Sequence, residues 1–308
     1  MAASSVIKVG SRGSTLALRQ TEEVLEKLRP HYPDREFEVV IVTTQGDSNA
    51  TAPLAGMGLG VFVKEIEQQL LSGLLDMAVH SLKDMPTLLP EGLYLGAMLP
   101  RQDARDVLVN KWNCRLEELP AGARIGTGSP RRKAQLKNLC PQVQVLPIRG
   151  NVETRLSKAR GEDYDGAILA AAGMIRLGLT DQISEYLSAQ QFVPPPGQGV
   201  LAVEVRADDD RMLGLLRPVE HSLTRYAATA ERAFLEKLGG GCQVPVGAYA
   251  QSNGEIMMLT VFLGDPEGQK VFRSKVRGLA HDPRQLASDA YLALVERGGA
   301  VLLNAAQG

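Results

Sequence analysis

Residues 123–139 read ARIGTGSPRRKAQLKNL, and they hold a strand, a cap and a helix in one line. Ala123 to Gly126 predicts a strand. Ser129 is a favourable helix cap, and Pro130 suits the first helical position because its missing N–H would find no partner there anyway. Downstream, Val143 to Ile148 predicts a strand, Asn151 caps a second helix, and Asp165 to Ala170 predicts another strand. Strand, helix, strand in alternation is the pattern of a mainly parallel sheet covered by helices.

The same rhythm runs earlier in the chain. Val6 to Val9 predicts a strand; Ser14 caps a helix in which Leu18, Val24, Leu25 and Leu28 recur at helical spacing until Pro30; Phe37 to Thr43 predicts the next strand. Phe62, Val63, Ile66 and Leu70 mark a helix closed by Gly73, and Met77 to Val79 form a short strand leading into HSLKDMP. A proline-punctuated stretch around Pro100 separates the two α/β units. The proline-rich crossing FVPPPGQ (192–198) and the strand-like Gly199 to Arg206 are expected to return the chain to the first sheet. From Ser222 the order changes to a helix, strands at Val244–Ala250, Ile256–Phe262 and Lys270–Val276, and a helix opened by Asp282 and Pro283. Strands joined by turns such as GDPEGQ predict an antiparallel α+β domain. The expected division is residues 1–99 with 200–217, then 100–199, then 218–308.

Composition narrows the function. A chain of 308 residues with a formal net charge of −1 has no global field to recruit nucleic acid, and 5% aromatic residues give no stacking surface for single strands. No long apolar run predicts a membrane span, and the start MAASSVIKVGS lacks a leader pattern, so the expectation is a cytoplasmic protein with no membrane partner. Cys114, Cys140 and Cys242 are odd in number and far apart, and His31, His80, His221 and His281 are scattered, which predicts neither a disulfide framework nor a metal site.

Ligands of open α/β sheets lie beyond the carboxyl ends of the strands. The residues predicted there are mostly cationic: Arg12, Lys83, Arg131, Arg132, Arg149, Arg155 and Arg176. Guanidinium forks and the helix N-terminus at Ser129 suit carboxylate or phosphate, so a polyanionic ligand is expected. Asp84 is the lone acid among them. It is either a stabiliser of positive charge or a base, or else the partner in a salt bridge. Cys242 follows Gly239, Gly240 and Gly241, a setting that either presents a thiol or simply stops a helix before a buried cysteine. The run Gly56 to Val61 (GMGLGV) matches a dinucleotide fingerprint only weakly.

Taken together and in order, HSLKDMP, GTGSPRR, IRGNVETR, PGQG and GGGCQVPVG resemble the porphobilinogen deaminase (hydroxymethylbilane synthase) family over essentially the whole chain. The resemblance implies two periplasmic-binding-protein-like lobes with mainly parallel sheets, plus a small α+β third domain bearing the cysteine. It implies a monomer that joins four porphobilinogen molecules head to tail, with loss of ammonia, on a dipyrromethane cofactor held by a thioether to Cys242. Matching motif to motif, it assigns Asp84 to catalysis and Lys83, Ser129, Arg131, Arg132, Arg155, Ser81 and Thr127 to the cofactor. Arg12, Ser14, Arg149, Arg176 and Gln198 are assigned to the substrate. The chain departs from the family pattern at Leu54–Val61, which lacks two loop lysines, and at Gly128 and Gln45. Two rival readings are a non-catalytic binder of a polycarboxylate and a cysteine hydrolase; the latter needs a histidine beside Cys242, and GGGCQVPVG contains none.

Overall fold

The computed structural model describes residues 6–44, 63–239 and 244–305. The chain divides into two compact units, Met1–Gln102 with Val200–Arg225 and Asp103–Gly199 with Tyr226–Gly308.

The first unit opens with β1 (Ile7–Ser11), α1 (Thr15–Leu28), β2 (Phe37–Ile41), α2 (Lys64–Leu71), β3 (Met77–Ser81) and β4 (Leu93–Met98). Ser14 caps α1, its Oγ accepting from the Ala17 N–H. The second unit begins with β5 (Asp106–Asn110), β6 (Arg124–Gly126), α3 (Pro130–Leu139), β7 (Gln144–Leu146) and α4 (Val152–Ala159), followed by β8 (Gly166–Ala170), α5 (Ala171–Arg176) and β9 (Glu185–Tyr186). The chain then re-enters the first unit as β10 (Leu201–Arg206) and α6 (Asp210–Leu216). It ends with α7 (Ser222–Lys237), β11 (Val246–Ser252), β12 (Ile256–Gly264), β13 (Val271–Leu279), α8 (Pro283–Leu294) and α9 (Ala300–Ala305).

The two large sheets share one plan. The first has order β2-β1-β3-β10-β4 and the second β7-β6-β8-β5-β9. In each, three parallel strands are followed by one antiparallel strand: β10, which returns after the second unit, in the first sheet, and β5, which opens its own unit, in the second. The segment after Gly199 does return to the first sheet, where β10 lies antiparallel between β3 and β4. β4 and β5 were not legible in the stretch around Pro100, because their pairing partners lie far away in the sequence.

The inner strands of each large sheet are buried on both faces. In the first unit Val9, Met77, Val79, Leu201 and Val203 pack with Val24, Leu25 and Leu28 of α1 on one side. Ala78 packs with Ile66 and Leu70 of α2 on the other. In the second unit Leu108, Ile125 and Ile168 pack with Leu136 of α3, while Val107, Val109 and Leu169 pack with Leu156 of α4. Truncating one such leucine to alanine costs roughly 2–5 kcal/mol. The third sheet, β11-β12-β13, is antiparallel throughout, and α7 and α8 cover it.

Candidate active site

The helix opened by the GTGSPRR motif organises the second unit's strand ends. Thr127 Oγ1 accepts from the Ser129 N–H at 3.1 Å, and Ser129 Oγ accepts from the Arg132 N–H at 3.4 Å. Two successive hydroxyls thus satisfy backbone donors that a helix start leaves over. The cap turns Arg131 and Arg132 inward, where they are 5% and 6% exposed.

Both guanidiniums close on Asp106. Arg131 Nη2 donates to Asp106 Oδ2 at 2.7 Å and its Nη1 to the Val193 carbonyl at 2.7 Å. Arg132 Nε and Nη2 donate to Asp106 Oδ1 at 3.1 and 2.7 Å, and its Nη1 to the Ile168 carbonyl at 3.0 Å. Gln198 Nε2 adds a bond to the same oxygen at 2.9 Å and another to the Ala104 carbonyl at 2.8 Å. Asp106 opens β5 opposite Ala170, so the antiparallel strand brings a carboxylate to the carboxyl end of β8. Burial pushes this carboxyl up, but Arg131 and Arg132 outweigh burial and hold it well below the usual carboxylate range. Burial also pulls Arg131 below its ordinary value against the opposing pull of Asp106. Its Nε is buried and has no acceptor.

Three further arginines stand at neighbouring strand ends and are half-buried. Arg149 follows β7, and its carbonyl accepts from Lys158 Nζ at 3.1 Å. Arg155 lies in α4, which Asn151 caps through Oδ1 to the Thr154 N–H at 2.8 Å; its Nε donates to the Gly150 carbonyl at 2.7 Å. Arg176 ends α5 and donates from Nη2 to the Gly199 carbonyl at 3.2 Å. The PGQG turn takes positive φ at Gly197 and Gly199, +75° and +86°, which favours glycine at both. The fully buried Glu231 of α7 accepts from the Gly197 N–H at 2.7 Å and the Ala250 N–H at 2.8 Å, fixing that turn to β11.

In the first unit the end of β3 runs into a short 3-10 turn, Leu82–Asp84. Ser81 Oγ accepts from Gln20 Nε2 at 2.8 Å. Lys83 and Asp84 are half-buried, as are Arg12 and Ser14 beyond β1.

Cys242 lies outside the described residues, together with Gly240, Gly241 and Gln243. Residues 45–62 do as well, and with them Gln45, Leu54–Val61 and the glycine-rich GMGLGV run. Cys114 and Cys140 are free thiols, both pushed up first by burial. Among the described residues no group of three His, Cys, Asp or Glu side chains is placed to hold a metal ion, and no helix is long and apolar enough to cross a membrane. Sequence reasoning missed Asp106 and Glu231. A signal existed for Asp106: an acid at the head of the apolar run Val107-Leu108-Val109 needs a cationic partner once the strand is buried.

Fold and side chains define an α/β protein of two five-stranded sheets and a smaller antiparallel one, with arginines at the strand ends of one large sheet and Arg12, Lys83 and Asp84 at those of the other. The family model for the porphobilinogen deaminase dipyromethane cofactor binding domain matches residues 7–214, and that for the porphobilinogen deaminase C-terminal domain matches residues 225–296. The porphobilinogen deaminase of Geobacillus kaustophilus is 46% identical over 96% of this chain and 96% of its own. That of Syntrophus aciditrophicus is 41% identical over 96% of this chain and 97% of its own. Among solved structures, the methionine-binding protein MetQ is 12% identical over 69% of this chain and 87% of its own, with a TM-score of 0.42. The chain belongs to the porphobilinogen deaminase family and is an enzyme with a dipyrromethane-binding domain.

Proposed function

We propose that the protein is a transferase that condenses four porphobilinogen molecules head to tail onto a covalently bound dipyrromethane primer, with loss of ammonia at each addition, and then releases linear hydroxymethylbilane by hydrolysis with one water. The observation that carries this reading is the match of the cofactor-domain family model across residues 7–214, a span that contains Asp84 and all seven strand-end cations.

The residues present fit a carboxylate-rich cofactor. Half-buried guanidiniums at Arg149, Arg155 and Arg176 offer bidentate forks. The buried Arg131 Nε–H has no acceptor, and an anionic group would satisfy it. We assign Lys83, Ser81, Thr127, Ser129, Arg131, Arg132 and Arg155 to the cofactor's carboxylates and polar edges. Arg131 and Arg132 act there through the N–H groups that Asp106, Val193 and Ile168 leave over. Arg12, Ser14, Arg149, Arg176 and Gln198 are assigned to the substrate, and the Cys242 thiol to thioether attachment. When bound, the dipyrromethane supplies a primer with a free pyrrole position. Asp84 accepts pyrrole N–H groups and stabilises the positive charge that develops on the substrate as ammonia leaves. We also propose that the enzyme works as a cytoplasmic monomer.

Asp84→Ala tests the assignment. Porphobilinogen consumption should fall by about 10²–10³-fold or more, with the thermal transition close to wild type. Turnover at the wild-type rate would remove Asp84 from the mechanism.

A further inference from the structure

The first unit keeps three titratable side chains from solvent on the sheet face that α2 covers. His80 of β3 is 5% exposed, Glu204 of β10 is 0% and Glu67 of α2 is 6%. His80 Nε2–H donates to Glu204 Oε2 at 3.0 Å. The two residues are diagonal across the ladder, since His80 lies opposite Ala202 and Glu204 opposite Ala78. One oxygen on each carboxyl, Glu204 Oε1 and Glu67 Oε1, is buried without a hydrogen-bond partner. Burial first, and then the charge of Glu204, push the Glu67 carboxyl up to about 7, while His80 pulls the other way. Arg206 is on the same face, but its Nη1 bonds the Leu70 and Leu75 carbonyls and its Nη2 pairs with Asp209, with Asp76 farther off at 3.9 Å.

A buried carboxylate and imidazole are an expensive way to hold two strands together, since apolar side chains would do so without desolvating polar groups. What the pair provides is a fixed direction, and its place in the chain indicates what it fixes. Three consecutive residues at the end of β3 are pinned from three sides. His80 is held by Glu204 on the α2 face, Ser81 by Gln20 on the α1 face, and Leu82 in the plane of the sheet through its N–H to the Val200 carbonyl at 3.0 Å. The turn carrying Lys83 and Asp84 begins at the third of them.

We propose that Glu204 is a positioning residue for the condensation, acting through His80 to fix the strand end that carries Lys83 and Asp84. The proposal rests on the reading of Asp84 given above. The two buried carboxyl oxygens without partners cost stability, so this face keeps polar groups where apolar ones would pack more favourably. Lengthening or losing the His80–Glu204 bond leaves the apolar core in place and loosens the last rung before the turn.

The test combines kinetics with porphobilinogen and amide hydrogen exchange on full-length Glu204→Met, His80→Phe and the double variant, which remove the acceptor, the donor and both, each checked by intact mass for unchanged cofactor content. Each single variant should lower kcat about ten- to a hundred-fold with KM within about two-fold, and the double variant should be no worse than the singles. Exchange at Ser81 to Asp84 should quicken in all three. Unchanged kcat with only a lower melting temperature, additive losses in the double variant, or wild-type protection at Ser81–Asp84 would overturn the proposal. Should Glu204→Met fail to fold, His80→Phe removes the same bond and decides alone. A wild-type protein that consumes no porphobilinogen would count against the functional reading, while the exchange experiment still tests the positioning claim.

Discussion

Asp106 in a strand of the second unit and Glu67 in a helix that covers the first unit's sheet are both sealed carboxyls, 0% and 6% exposed, yet they are driven in opposite directions. Burial acts upward on both. Asp106 meets two guanidiniums and an amide and is held far below its ordinary range. Glu67 meets another carboxylate, with only an imidazole in opposition, and rises to about 7. The partner, more than the burial, decides which charge state the interior keeps. The contrast matches the two kinds of strand end: one gathers buried guanidiniums around a fixed anion, and the other presents Lys83 and Asp84 on a turn held by the hydrogen bonds that join His80, Ser81 and Leu82 to Glu204, Gln20 and Val200.

Asp106→Asn should give the largest effect. It leaves Arg131 and Arg132 buried beside each other without a counter-charge, and chemical denaturation should show a loss of about 3–5 kcal/mol. A loss below about 1 kcal/mol would mean that the guanidiniums find other acceptors and that the clamp is dispensable.

Glu67→Gln comes next, and its sign depends on pH. The folded carboxyl, at about 7, lies above its ordinary value of 4.5, so the wild type's stability contribution is present below about 4.5 and is lost as pH rises through 7. The variant lacks that slope. Its stability relative to wild type should improve from pH 5 to pH 8 by up to about 3 kcal/mol, read from unfolding curves at both pH values. A pH-independent difference would break the comparison. Asp106 works the other way: its contribution is present above the ordinary carboxylate value and is lost only in strong acid.

The smallest effect should come from Gln20→Ala, which removes one neutral bond to Ser81 and should cost about 1 kcal/mol. A loss as large as that of Asp106→Asn would show that the scaffold behind Asp84 depends as heavily on single contacts as the charged cluster does.

Local chemistry made much of the molecule readable. Ser14, Ser129, Asn151 and Asp282 each accept the backbone bond expected of a cap, because capping depends on residues three positions apart. Strand-end arginines were legible for a similar reason, since each lies within a turn or two of its own strand. What stayed hidden is non-local. Asp106 reaches Arg131 and Arg132 across 25 and 26 residues and Gln198 across 92, and His80 meets Glu204 across 124. Such pairs exist only once antiparallel β5 and β10 have entered their sheets, and no spacing rule in a single sequence encodes that entry. Arg131 and Arg132 show the consequence. Their motif marked them as ligand forks, while the fold directs most of their bonded donors to a carboxylate that the motif does not contain.

The central claim, a carboxylate-rich group tethered at Cys242 and neutralised by these arginines, is tested most directly by the intact mass of the purified protein. The account predicts a chain heavier than its sequence by two linked pyrroles, and a Cys242→Ser variant at the mass of its sequence alone. Wild-type protein that stays at its bare sequence mass after incubation with porphobilinogen, or a Cys242→Ser variant that still carries the addition, would contradict it.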